Sequence, residues 1–279
     1  MISSIVAAFL RGLDETEDVG RRRADCAGEV MGAGGGMKYS LLFLLLPGLV
    51  PAQAYRAPRA PDGHADLQGV WQAMSSATAF NVEPHSASMN MQGGAGAIVD
   101  LADGKIPYRP EARAKQQDNF KNRAARDPMN KCYMPGVPRV TYLPFPFQIL
   151  QTQKTVVILS EYTHTTRNIF LTGKHLDGLE LWMGDSRGRW DGDTLVVDVT
   201  QFNADTWLDQ SGNHHSAAMH VVERFTRTGP DVLTYEATID DAATYTRPWT
   251  MRLLLYRHQE PNYRLLEYEC QAYLEEAGL

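Results

Sequence analysis

Three cysteines in 279 residues, no HExxH, no Cys-x-x-Cys and no nucleotide-binding glycine loop set the first limits on this chain. Without paired histidines on a helix or clustered thiols, a metal centre would have to be assembled from dispersed His and carboxylate ligands. A Gly-x-Ser-x-Gly string does occur at Gly184 to Gly188, but no helical pattern follows Ser186, so it resembles a nucleophile elbow only superficially. It reads as a tight strand connection in which Arg187 pairs with Asp185. The missing nucleotide motifs favour chemistry that needs no cofactor. Basic charge is also in short supply: 27 Lys and Arg stand against 33 Asp and Glu, and the one compact basic run, Arg21 to Arg23, lies outside the expected domain. A nucleic-acid partner is therefore not expected.

No apolar run reaches the roughly 20 residues that cross a bilayer. The nearest is in "MKYSLLFLLLPGLVPAQA", residues 37–54, with one Lys, an apolar stretch from Leu41 interrupted by two prolines, and Ala52-Gln53-Ala54 at its end. This is the pattern of a signal peptide cut after Ala54, which predicts a periplasmic or secreted protein with no stable membrane span after cleavage. Residues 1–36 show no sustained period and end in glycines, so we expect them to be a misassigned upstream extension, with translation starting at Met37 or Met31. The exported chain then keeps Cys132 and Cys270, an even pair in an oxidising compartment, for which a disulfide is the default. On chain-entropy grounds a bridge closing a loop of about 140 residues is worth about 4 to 5 kcal/mol.

Residues 55–104, with a Pro-rich lead and then Ser, Met, Asn and Gly without a period, are expected to be linker and docking loops. The domain proper is expected over 105–279. Its one helix is predicted near 110–126, opened by Pro110 and closed by Asp127-Pro128, with too thin an apolar face to be anything but a surface helix. Proline-rich "YMPGVPRVTYLPFPFQ" must run extended. From Phe147 to Tyr273 the chain reads as short strands, among them "LELWMGD" and "YRLLEYECQAY", joined by turn residues such as Asp191-Gly192. The fold class is mainly β: an antiparallel meander closing into a lipocalin-like barrel, with an irregular N-terminal lead.

Two strands carry polar groups on both faces. "HVVERF" places His220, Val222 and Arg224 opposite Val221, Glu223 and Phe225, and "SEYTHTTR" places Ser160, Tyr162 and His164 opposite Glu161, Thr163, Thr165 and Arg167. Buried polar groups need partners, and a partly polar cavity would supply them.

The strings "MGDSRGRWDGDTLVVDVTQFN", "HVVERF", "YEATIDD" followed by "YTRPW", and "LLEYEC" resemble a large family of exported, largely uncharacterised bacterial proteins, over about Lys131 to Tyr273. The matching positions are Arg139, Arg187, Trp190, Asp193, His220, Glu223, Arg224, Arg247, Trp249 and Cys270, with His215 at a usual His-Ser pair. The resemblance implies an all-β domain, a signal peptide and cysteines paired across the domain, but no particular reaction. Ala217 departs from it, standing where an Asp is expected, which weakens any role for a carboxylate beside His215.

Three of the eight histidines fall in "GNHHSAAMHVVERF". His214, His215 and His220 could be metal ligands, but adjacent histidines on extended backbone point to opposite sides, so no metal is expected. General acid/base chemistry fits better: His220, His164 and His215 with Glu223 offer proton carriers, and Arg247 a cation for an enolate or phenolate. Tyr162, Trp207, Trp249, Tyr245 and Arg139 are the candidate substrate contacts. The favoured function is an exported lyase, isomerase or hydratase, free of cofactors, acting on a small, partly aromatic or apolar molecule. A ligand carrier of lipocalin type and a metal-dependent hydrolase are the alternatives. Mass spectrometry of the exported protein should find its N-terminus at Tyr55, and residues 1–36 retained in it would refute the export signal.

Overall fold

Alternation of side chains sets the architecture. In the computed structural model, which describes residues 55–88, 91–276 and 278, every second residue from Val221 to Arg227 and from Leu233 to Ile239 is buried. The expected extension and signal peptide lie outside the described residues. The chain divides into Met1–Pro51 and Ala52–Leu279, and all that follows concerns the second unit.

Nine strands close into a barrel in chain order: β1 (Gly69–Ala73), β2 (Phe147–Gln151), β3 (Thr155–Ser160), β4 (Thr166–Phe170), β5 (Asp185–Asp191), β6 (Thr194–Thr200), β7 (His220–Gly229), β8 (Val232–Asp240) and β9 (Trp249–Arg257). The mainly β barrel expected from the sequence is present. Gly192, at a positive φ of 59°, makes the tight Asp-Gly turn from β5 to β6.

Three features differ from expectation. β1 lies inside the segment expected to be linker, yet it pairs with both β2 and β9 and sends Trp71 into the core. Closing the barrel requires this strand, so the domain begins before residue 105. Next, β4 and β5 run parallel, joined at only two positions, Ile169 with Ser186 and Phe170 with Arg187. A parallel pair needs a crossover, and residues 171–184 provide it. That crossover absorbs "LELWMGD", which forms only a bridge from Leu181 to Phe202. Finally, "YRLLEYECQAY" is not a strand: with β1 and β9 paired no sheet edge is left for it, and the chain instead enters a helix at Cys270–Glu276.

The predicted surface helix forms at Pro110–Lys121 and continues as a turn at Arg123–Arg126. Asp127 then accepts a hydrogen bond from the Met129 N–H, capping the next turn. Cys132 and Cys270 are bonded, their Cα atoms 5.5 Å apart. Among the described residues no helix is long and apolar enough to cross a membrane.

The barrel interior is filled. Trp71, Phe147, Ile149, Phe225, Tyr235, Trp249 and Met251 are fully buried in one core cluster. Part of the expected polar lining exists, and its charged members are paired within the protein. Arg167 on β4 and Glu223 on β7, 3% and 0% exposed, form a two-pronged ion pair in which one bond measures 3.1 Å. Tyr235 donates to the same carboxylate at 2.8 Å, and Arg167 Nε donates to Ser186 Oγ at 3.0 Å. Arg167 thus spans the short parallel seam to β5. Gly188 tightens the same region, since a Cβ there would sit 2.7 Å from Ile169.

Glu223, expected to be catalytic, is a structural group with every nearby donor engaged. Replacing it with Gln preserves size but leaves the Arg167 charge buried without its counterion. Glu223→Gln should lose about 3 to 5 kcal/mol of stability. Circular dichroism should show this as a fall in Tm of roughly 6 to 20 °C.

Candidate functional site

Turning Glu223 inward sends its neighbours outward. His220, Val222 and Arg224 lie on the outer wall of the barrel, where Asp198 of β6 faces Val222 across the β6–β7 ladder and Arg187 across the β5–β6 ladder. The diagonal brings His220 Nε2 within 2.9 Å of Asp198 Oδ2. The other Asp198 oxygen, Oδ1, lies 2.8 Å from Nε2 of His175, which comes from the crossover. His175 Nδ1 reaches Asp185 Oδ2 at 2.9 Å, and Asp185 also accepts from Arg187 Nε and the Leu176 N–H.

The result is a continuous outer-wall chain of alternating acid and base, Arg187, Asp185, His175, Asp198 and His220. Partial burial alone would raise the pKa of Asp198, but hydrogen bonds from His220 and His175 and their charge lower it below the usual carboxylate range. Asp185 behaves alike: burial opposes ionisation, and the bonds from Arg187, Leu176 and His175 outweigh it. An ionised Asp198 only accepts, so the His220 proton sits on Nε2 and neutral His220 keeps Nδ1 as a free acceptor.

This end of the chain opens on a cleft of about 440 Å³. The crossover supplies Leu179 and Glu180 as one wall, and Thr200, Gln201, Ala217, Ala218 and His220 complete it. Gln201 has a φ of 61°, a left-handed conformation uncommon for a side-chain-bearing residue, and its carbonyl anchors the Leu181 N–H at 2.8 Å.

The other predicted site residues are dispersed. His164 sits in the turn after β3 against Glu269 at 2.7 Å. Arg247 is exposed and donates to the Asp100 carbonyl at 3.4 Å. Arg139 is buried in a bidentate pair with Asp127, at 2.8 and 2.7 Å. Tyr162, its pKa pushed up by burial, donates to the Met129 carbonyl and packs beside Phe145 and Tyr268. Trp249 is in the core, edge-on to Tyr245, whose hydroxyl donates to the His214 carbonyl at 2.7 Å. Trp207 is buried and bridged to His214. None of these lines the cleft. Of the proposed catalytic set, His220 alone does.

His214 and His215 are buried and stay out of the cleft, although Ala217 and Ala218 of the same stretch line it. Asp209, fully buried, accepts from the N–H groups of Val82, Ser211 and Asn213 and from Asn213 Nδ2 at 2.6 Å. Burial carries its pKa up to about 7 against those donors. His215 is held by the Thr206 hydroxyl at 2.7 Å and donates from Nδ1 to the Ser216 carbonyl at 2.9 Å. His214 stacks on Tyr108 with ring centroids 5.6 Å apart. The three candidate metal ligands therefore point to Tyr108, Thr206 and Asp198, and do not converge. Among the described residues no group of three or more His, Cys, Asp or Glu is placed to hold a metal ion.

Sequence reasoning missed His175, Asp185, Asp198 and Gln201. Asp198 left a trace, as the one charged residue of the apolar strand "TLVVDVT". His175 left none, because a crossover histidine has no period to betray its direction. Comparison with protein-family models, with curated proteins and with solved structures finds no match.

Burial lowers the pKa of His214 to about 4, with the nearby Lys115 and His215 adding to the effect. A folded value below the ordinary one contributes stability above about pH 6.5 that is lost as pH falls through about 4. His214→Gln should therefore shrink the stability difference between pH 7 and pH 4 by about 2 kcal/mol in urea denaturation.

Proposed function

We propose that this protein is an exported acid/base enzyme of the lyase, isomerase or hydratase kind, working without a cofactor in the outer-wall cleft, with His220 as general base. The observation that carries this reading is the 2.9 Å contact from His220 Nε2 to Asp198, which orients the ring and leaves Nδ1 without a partner among the described residues at the edge of an open cleft. Asp198 stabilises the imidazolium that forms when His220 takes a proton.

The substrate is a small neutral molecule with an apolar part. Leu179 and Phe202 give the cleft apolar surface, Glu180 and Asp198 disfavour an anion, and no Lys or Arg lines it. Charge developing on a substrate oxygen would be met by the Thr200 hydroxyl and the Gln201 amide, neither of whose side chains has a hydrogen-bond partner among the described residues. Export is supported by the signal-like segment and by the motifs shared with exported bacterial proteins. A lipocalin-type carrier would need room inside the barrel, where Trp71, Phe147, Phe225 and Tyr235 sit. Metal-dependent hydrolysis would need the His214, His215 and His220 rings to meet.

A substrate-neutral assay tests the proposal. The protein, in deuterated water, is given a panel of small neutral ketones, aldehydes and β-hydroxy ketones, and deuterium uptake or dehydration is followed by NMR. The wild type should accelerate one or more of these reactions, and His220→Asn should be slower by about a hundredfold or more. The variant should melt at the wild-type temperature. No acceleration across the panel, or equal rates for a folded variant, would count against an acid/base site.

A further inference from the structure

We propose that His175 is a positioning residue for the His220 cleft: by bridging Asp185 and Asp198 with both ring nitrogens, it pins the crossover wall and holds Asp198 against His220. The purpose of this device rests on the acid/base reading above, whereas its geometry stands apart from it.

Each His175 nitrogen faces a carboxylate oxygen, at 2.9 Å on Asp185 and 2.8 Å on Asp198. A carboxylate offers only lone pairs, so each contact is a hydrogen bond only if the nitrogen facing it carries a proton. Neutral imidazole has one such proton and the imidazolium has two. Both bonds therefore coexist only in the imidazolium, and each is then charge-assisted. Raising the pH until one proton leaves turns one attractive contact into two opposed lone pairs.

The groups around the ring leave no other way to balance it. From β5 come Asp185 and Arg187, and Arg187 is already committed to Asp185 through Nε at 3.0 Å and a terminal nitrogen at 3.1 Å. From β6 comes Asp198, and from β7 comes His220, which takes the second oxygen of Asp198. Lys174 and Asp177 flank His175 on its own segment. Asp185 has other donors, but among the described residues Asp198 has side-chain partners only in His175 and His220. Losing the His175 bond would leave Asp198 free to turn, and with it the orientation of His220.

The crossover has reason to need such a tie. It connects the two strands with the shortest pairing in the barrel, and it exposes Leu176 and Leu179 to solvent, 50% and 41%. Its remaining links to the wall are few, among them the Leu176 N–H on Asp185 and the Leu181 bridge to Phe202. Since Leu179 and Glu180 form one side of the cleft, the cleft keeps its shape only while the crossover stays seated.

Hydrogen–deuterium exchange read by mass spectrometry on peptides covering 172–184 tests this without a substrate. After correction for intrinsic exchange, wild-type protection should drop about tenfold between pH 5.5 and pH 8.5. His175→Gln should show the weak protection at both pH values, because an amide offers donors on one atom only. Nitrogen-15 NMR of the wild-type ring should show both His175 nitrogens protonated at pH 5.5, a readout that holds even if the variant fails to fold. Protection independent of pH in the wild type, wild-type protection in a folded His175→Gln protein, or a single protonated nitrogen at pH 5.5 would overturn the proposal. His220→Asn should leave crossover protection within about twofold of wild type at pH 5.5, so failure of the acid/base reading and failure of this inference give different results.

Discussion

The ion pair between Arg167 and Glu223 is the constraint from which the rest of this barrel follows. Two charges removed from water cost several kcal/mol each, and only close geometry with further hydrogen bonds offsets that. The barrel supplies both: Glu223 also accepts from Tyr235, and Arg167 also donates to Ser186. The Ser186 bond reaches across the seam where the parallel strands meet at two positions only. An interior polar pair therefore helps close the barrel at its weakest joint, and large aromatic side chains fill the remaining space.

The same pair decides where chemistry is possible. A strand has a period of two, so fixing Glu223 inside fixes His220 outside. A shift of one residue in β7 would bury His220 and expose Glu223, at the cost of stranding Arg167 in the core. The outer wall thus receives His220, and the β6–β7 register gives it Asp198 as a partner. Asp198 is the hub of that surface, dividing its oxygens between a histidine of the cleft and a histidine of the crossover. A cleft on the outside of a filled barrel differs in kind from a ligand lumen, since its walls include a loop segment as well as strands.

The family-like motifs divide along the same line. Arg139 and Glu223 are buried in ion pairs, and Trp249 packs in the core, so these positions serve the fold. Arg187 and His220 belong to the outer-wall chain. The cysteine pair ties the turn after the surface helix to the C-terminal helix, fastening a segment whose link to the barrel includes a bridge from Tyr162 to Tyr268.

Alternation, turn residues and the cysteine count determined that the described chain is a β-barrel with one early helix and a disulfide, because those signals are local or depend only on counting. They also showed that β7 carries polar groups on both faces, but not which face turns inward. That choice belonged to Arg167, more than fifty residues earlier, and only the closed barrel brings the two charges together. The parallel seam and the closing role of β1 were hidden for a similar reason, since pairing between distant segments leaves no mark in either one. His175, Asp185 and Asp198 come from a crossover and two strands, and each looks like a solitary polar residue along the chain. Tertiary structure alone brought them together, because the 2.8 and 2.9 Å contacts of His175 depend on how the crossover lies over β5 and β6 and not on sequence spacing.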